Sequence, residues 1–403
     1  MVSADPIANC VMSAESIELE WSLAFKAQAF RYFCHVTPNL SFTIIAMQLY
    51  NFSSIALQLS PCNFTFIWCL MINDSMFNLL KLISDDGKNV AVRLAEAQNF
   101  SRQTASAKLR AAMSAGWITK TGAGRGVEYS LVEISRISEE FNRAGLSEDR
   151  VWLSLLAPVV RDLPENVRDI WRYAFTEMVN NAIDHSGSNK IKVWCMRNAL
   201  YTQVWVSDDG EGIFNKIQKA LQLYDPREAI LELAKGKFTT DPARHSGEGI
   251  FFSSKMFDHF DIRSGSLHFM HNDGSDDLLL ERAKNAPGTL VVMRLLNNSK
   301  RTTKEVFDQF AAPEEYTFAK TIVPVKLGQY EGEKLVSRSQ AKRLIFRFEK
   351  FKTVILDFSG VEEIGQAFSD EVFRVFQNAH PDTTLVPVNM TTAVKNMVTR
   401  VKA

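Results

Sequence analysis

The sequence predicts a mixed α/β chain of the α+β multidomain kind. Its 403 residues suffice for two to four domains. An apolar content of 46% supplies packed cores and excludes wholesale disorder. From Met76 onward, helical and strand-like patterns follow one another in blocks separated by Gly- and Asp-rich turns. The formal net charge is zero, from 46 basic and 46 acidic residues. That excludes a uniformly basic nucleic-acid coat or an acidic tail protein and leaves local patches open.

Residues 1–75 are an atypical apolar segment. They carry seven charged side chains with a net charge of −3, and none lies between Tyr32 and Asn73. Four of the five cysteines (Cys10, Cys34, Cys62 and Cys69) fall here, in no metal-binding spacing. A charge-free run raises a membrane reading, because a spanning helix needs about 20 apolar residues. Gln48, Asn51, Ser53, Ser54, Gln58, Pro61 and Asn63 interrupt it, so membrane insertion is not expected. Nor is a secretory signal, because no basic residue precedes the first apolar ones. Met76 opens a regular helical pattern, so an over-extended start is another reading, and a poorly packed extra segment is the third.

Residues 76–136 form the next block. Phe77, Leu79, Leu80, Leu82 and Ile83 predict a short amphipathic helix, broken at Asp85-Asp86-Gly87. Val90 to Ala97 reads as a second helix. Ser101 suits the N-cap of a third, over 102–115, with Ala105, Leu109 and Met113 at spacing four. Ile118 starts a strand, 121–126 is a turn, and 127–131 alternates like a return strand. Nine basic against five acidic residues give the block a local charge of +4. This order resembles a winged helix-turn-helix. The resemblance implies DNA binding, with Arg102, Gln103, Ser106 and Lys108 of the third helix toward the major groove and Arg125 at the hairpin tip toward phosphate or the minor groove. A helical domain with a solvated basic face, or one used for protein contacts, is the bland alternative.

Residues 137–300 carry three motifs in order. The first is Glu177-Met-Val-Asn180-Asn181-Ala-Ile-Asp184-His185, on a helical run from Pro164. Glu177, Asn181 and Asp184 stand at i, i+4 and i+7, on one side of that helix. A carboxylate and a carboxamide there can hold Mg²⁺ and orient a water. The second is Asp208-Asp-Gly210-Glu-Gly212, where a strand ends in an acid and two glycines allow close approach of a flat ligand. The third is His245-Ser-Gly247-Glu-Gly249-Ile250, opening a helix whose free N–H groups suit an anion. Gly288-Thr289 opens a later strand. Each motif alone is weak, and together they resemble the GHKL (histidine kinase-like) ATPases. The resemblance implies a Bergerat-type ATP-binding α/β sandwich with a mixed sheet, and ATP and Mg²⁺ as cofactors. It implies Glu177 as the group polarising the attacking water or acceptor hydroxyl, Asn181 as the Mg²⁺ ligand, Asp208 as the acceptor of the adenine amino group, and Thr289 as its helper. It also implies Gly210 and Gly212 around adenine, Gly247 and Gly249 along the phosphates, and 214–246 as a lid offering Lys235, Lys237 and His245; an ordinary surface loop with a helix at 226–234 is the bland alternative. No histidine sits in a phosphoacceptor setting, so a two-component sensor kinase is not expected. The run 181–185 looks more like the anti-sigma-factor serine kinases.

Residues 301–403 close the chain. Thr353–Asp357 reads as a buried strand, Phe368, Val372, Phe373, Val375 and Phe376 as a helix, 384–388 as a strand and 392–401 as a helix. This resembles a STAS-like domain, which implies a docking or phospho-switch role. Ala367 stands where such domains place their phosphoacceptor serine, so the usual phosphorylation is not expected.

The expected protein is therefore a cytoplasmic, ATP-binding bacterial-type regulator coupling nucleotide to DNA or to a protein partner. The alternatives are a serine/threonine protein kinase and a DNA-stimulated ATPase. Beyond residue 75 only Cys195 remains, consistent with a reducing compartment.

Overall fold

The structure, a computed structural model, describes residues 74–239, 247–273, 277–311, 317–330 and 333–402. The atypical segment thus lies outside the described residues except for its last two positions. All described residues belong to one compact unit, 72–403.

Three helices come first: α1 (Asp74–Asp85), α2 (Val90–Gln98) and α3 (Arg102–Ser114). An antiparallel hairpin of β1 (Ile118–Thr121) and β2 (Glu128–Leu131) follows. The apolar stripe of α1 buries Met76, Leu79, Leu80 and Ile83. The Arg93 guanidinium donates to Leu82 O at 3.3 Å and to Asp86 O at 2.6 Å, closing the end of α1. Asn89 and Asn99 flank α2 in the left-handed region, which asparagine tolerates better than most residues. The Ser101 hydroxyl accepts from Thr104 N at 3.1 Å, a cap that contributes about 1 kcal/mol. At Gly122 a Cβ would lie 2.1 Å from Gly126 O, so only glycine closes that turn.

The central sheet is ordered β3-β4-β5-β7-β6. Its strands are β3 (Ser135–Asn142), β4 (Lys190–Arg197), β5 (Tyr201–Asp208), β6 (His259–Asn272) and β7 (Leu278–Leu296). Since β3 starts at Ser135, the sheet begins two residues before the boundary drawn at 136/137. Every hydrogen-bonded pair in it is antiparallel, where a mixed sheet was expected. The topology gives the reason. The crossover from β5 brings β6 back in the same direction, and β7 then returns between them. Helix α4 (Glu165–His185) lays Val167, Ile170, Trp171, Ala174, Phe175 and Met178 on the inner face, against Val193, Cys195, Val204 and Val206. Trp171 meets Phe257 edge-on at 4.8 Å. Asn166 Nδ2 donates to Ser299 O at 2.7 Å and to Arg301 O at 2.9 Å, tying the start of α4 to the end of the sheet.

The C-terminal part holds a parallel three-stranded sheet, β10-β9-β8, from β8 (Lys320–Pro324), β9 (Thr353–Asp357) and β10 (Thr384–Val388). Helix α8 (Thr303–Phe310) leads in, and a capping box of Thr302 and Glu305 starts it. The other helices are α9 (Arg338–Ile345), α10 (Gln366–Asp370), which runs on through a π turn at Glu371–Phe376, and α11 (Thr392–Lys402). Among the described residues no helix is long and apolar enough to cross a membrane.

One buried carboxylate predicts acid sensitivity. Strand β6 bends at Gly265 (φ 60°), and His268 Nε2 comes to 2.9 Å from Asp261, which is fully buried. Burial pushes the Asp261 pKa up, but the His259, His268 and Arg263 donors outweigh this and hold it well below the carboxylate range. A folded-state pKa lowered in this way contributes stability present above the unfolded value of about 3.9 and lost as pH falls toward the folded one. Wild type is therefore expected to lose more Tm than Asp261→Asn between about pH 5 and about pH 3. Equal losses in thermal melts would show that Asp261 is not the sensor.

Candidate functional site

A cleft of about 330 Å³ opens between α4 and the β5–β7 side of the sheet. That lies at the small end of ligand sites, which run roughly 300–1,000 Å³. Three further helices border it: α5 (Ile213–Leu221), α6 (Glu228–Lys235) and α7 (Gly249–Met256). Glu177, Asn181, Asp208, Gly212, Gly247, Gly249 and Thr289 all line it. Residues scattered over more than 100 positions of sequence are thus gathered into one site.

Asp208 ends β5. Its Oδ1 accepts from Gly210 N at 2.9 Å and from Thr289 N at 3.3 Å, and neither donor uses Oδ2. Burial pushes its pKa up, against those two backbone donors. Thr289 Oγ1 accepts from Ile213 N at 3.0 Å, so its own hydroxyl hydrogen remains for a ligand or water. Gly212 (φ 87°) has no room for a side chain, because a Cβ would lie 2.5 Å from Ser264 Oγ. At Gly249, the first residue of α7, a Cβ would lie 1.9 Å from Glu177 Oε2. The Glu177 carboxylate therefore sits directly against the amino end of α7. Burial, then the Glu177 and Glu248 charges, push the Tyr173 hydroxyl pKa up.

Two expected residues stand apart from the cleft. Asp184 is exposed and does not line it. The cleft takes Glu177, Asn180, Asn181 and His185 from α4 and does not reach Asp184. His185 lines the cleft instead. Gly210 stands one layer behind the lining: a Cβ there would lie 1.9 Å from Ser186 O, and Gly210 O accepts from Gly288 N at 2.8 Å. It locks the β5 loop to the end of α4. Sequence reasoning also missed Asn180, Lys216, Phe238 and Thr239 in the lining. Lys216 Nζ donates to His185 O at 2.8 Å, a cation at the end of α4. Its place four residues after Gly212 was the available signal.

The expected lid needs correction. Segment 214–246 does border the cleft through Lys216, Gly236 and Phe238, but α6 within it is buried over Ala229–Lys235. Lys235 is not a phosphate contact. It is fully buried, paired with Glu232, and donates to Phe346 O at 2.8 Å. Arg347 reaches the same Glu232 at 2.9 Å. Lys237 Nζ donates to Lys350 O at 3.0 Å and does not line the cleft. Burial pushes both lysine pKa values down. The physical reason is that α6 is apolar enough to become an interior helix, and its lysine then needs buried partners. His245 lies outside the described residues.

On α3, Arg102 and Gln103 are exposed, while Ser106 and Lys108 are half-buried. Lys108 Nζ lies 5.2 Å from the Phe100 ring centre, and burial pushes its pKa down. The Arg125 side chain lies outside the described residues.

In the C-terminal part, Ala367 is the second residue of α10 and Ser369 is fully buried. That burial seals the Ser369 hydroxyl from an incoming kinase. Among the described residues no group of three His, Cys, Asp or Glu side chains is placed to hold a metal ion. No curated protein matches the chain. Residues 340–395 match the model of a STAS-like domain of unknown function (DUF4325), and the C-terminal part is STAS-like.

Proposed function

We propose that the chain is an ATP-binding regulator in which occupancy of the cleft is coupled to DNA binding at α3 and to protein docking by the STAS-like domain. The observation that carries this reading is the convergence of all three motifs and Thr289 on one cleft. The residues present fit a magnesium–adenine nucleotide. Asp208 keeps one oxygen for an amino group, and Gly212 and Gly249 let the backbone pack where any Cβ would collide with Ser264 Oγ or Glu177 Oε2. Asn181 supplies a single carboxamide, which suits Mg²⁺ when phosphates and waters complete its shell.

When bound, the nucleotide supplies a transferable γ-phosphoryl group. Asp208 and Thr289 hold the base, Asn181 holds the metal, and Gly247 and Gly249 let backbone N–H groups approach the phosphates. Glu177 accepts a proton from a water or from an acceptor hydroxyl at the start of α7. The same placement serves hydrolysis or transfer to serine or threonine, so the kinase and DNA-stimulated ATPase readings share this site. The local charge of +4 and the exposed Arg102 and Gln103 support contact with duplex DNA.

Titrating duplex DNA with the full chain tests the coupling: the affinity is expected to differ with and without Mg-ATP, and an identical affinity sinks it. Arg102→Ala is expected to weaken DNA binding by about 1–3 kcal/mol without changing Mg-ATP binding. Unchanged DNA affinity would remove α3 from the interface.

A further inference from the structure

Both far walls of the cleft rest on the C-terminal part of the chain. On one side, Phe251 of α7 lines the cleft and packs edge-on against Phe310 at 4.9 Å and beside Phe318 at 4.7 Å. On the other, the cleft residues Gly236 and Phe238 are held from outside. A Cβ at Gly236 would lie 2.7 Å from the Phe318 ring. Phe238 N donates to Gly247 O at 3.2 Å, which ties this wall to the third motif. Arg347, inside the STAS-like match, does the rest. It is buried, donates to Lys237 O and to Glu232 Oε2, and lies 5.5 Å from the Phe238 ring centre. Its backbone is left-handed (φ 66°), a conformation costly for a residue with a Cβ, and such strain persists only where surrounding contacts enforce it.

We propose that Arg347 is a positioning residue of the cleft: by holding Lys237 O and Glu232 it fixes the wall at 236–239, so that seating of the STAS-like domain and occupancy of the cleft are one coupled event. The proposal rests on the reading that the cleft takes a nucleotide. The planar guanidinium sends Nη1 to the Glu232 carboxylate and Nη2 to Lys237 O from a rigid fork, and the single nitrogen of a lysine at this position does not reproduce that spacing. The coupling is reciprocal: a ligand that orders 236–239 tightens the seat of Arg347, and a partner that pulls the STAS-like domain away loosens the cleft.

Hydrogen exchange and calorimetry on the full chain test it. In Arg347→Met, which leaves the Glu232–Lys235 pair intact, amides of 236–239 are expected to exchange about tenfold faster, with those of β9 unchanged. Mg-ATP affinity is expected to fall about five- to tenfold. Exchange at 236–239 equal to wild type overturns the proposal. Should β9 also lose protection, Arg347→Lys decides: faster exchange at 236–239 with β9 protected supports the role, and wild-type exchange there overturns it. A wild-type chain that binds no Mg-ATP removes the nucleotide reading, while the exchange at 236–239 still decides the positioning role.

Discussion

Replacing Glu232 with alanine is expected to destabilise the chain strongly. Glu232 is buried with two cations on it, Lys235 and Arg347. Alanine leaves both positive charges in the interior with no counter-charge. Removing one partner of a buried ion pair costs about 3–5 kcal/mol, because the remaining charge has lost its water and has nothing in return. For a unit of this size that lowers Tm by roughly 4–7 °C. Lys235→Met is the contrasting case. It removes one cation and leaves the Glu232–Arg347 pair, so the expected loss is far smaller, and apolar neighbours such as Phe348 accept the methionine. Thermal melts of the two variants beside wild type measure the difference. A Glu232→Ala chain as stable as Lys235→Met would show that the triad carries no net electrostatic weight.

Asp208→Asn is expected to have the largest effect on ligand binding. Asparagine can still accept from Gly210 N and Thr289 N through its carbonyl oxygen, so the β5 loop keeps its shape and Tm stays close to wild type. What changes is the second position, where an NH₂ group replaces an acceptor. An amino group of a ligand then meets a donor. Leaving a buried donor unsatisfied on each side costs about 3 kcal/mol, or a loss of about 100-fold in Mg-ATP affinity under the proposed reading. The pH dependence follows from the raised pKa of Asp208, whose cause is burial. As pH falls, this carboxylate gains its proton before an ordinary one does, so wild-type affinity falls with acidification earlier than solvent-exposed carboxylates allow. Asp208→Asn is expected to lack that fall. Calorimetric titration at several pH values measures both effects, and wild-type affinity in the variant would remove Asp208 from the site.

The sequence made most of the elements legible. Periodicity located α1, α2 and α3, and the Ser101 cap is where the serine predicted it. The strand Thr353–Asp357 and the helix after Thr392 also stand where their patterns placed them. These elements are set by local chemistry: side-chain period, caps and turn residues act over a few positions. The cleft was partly legible for the same reason, since glycines with no room for a Cβ leave a mark in the sequence. Asp184 was misplaced because equal sequence spacing on a helix does not fix which stripe faces a cleft. Lys235 and Lys237 were misread because a lysine near glycines looks the same whether it faces a phosphate or a buried glutamate.

By itself, then, the sequence determined the α+β class, the succession of helices and strands, and the clustered residues that converge on the cleft, because each is written in contacts between near neighbours. Only the tertiary structure decided that β7 returns between β5 and β6, that α6 is an interior helix, and that Arg347 reaches Glu232 and Lys237 O across 110 or more positions. Those outcomes depend on which distant surfaces bury one another and on which buried charges find partners, and no local pattern of residues encodes that choice.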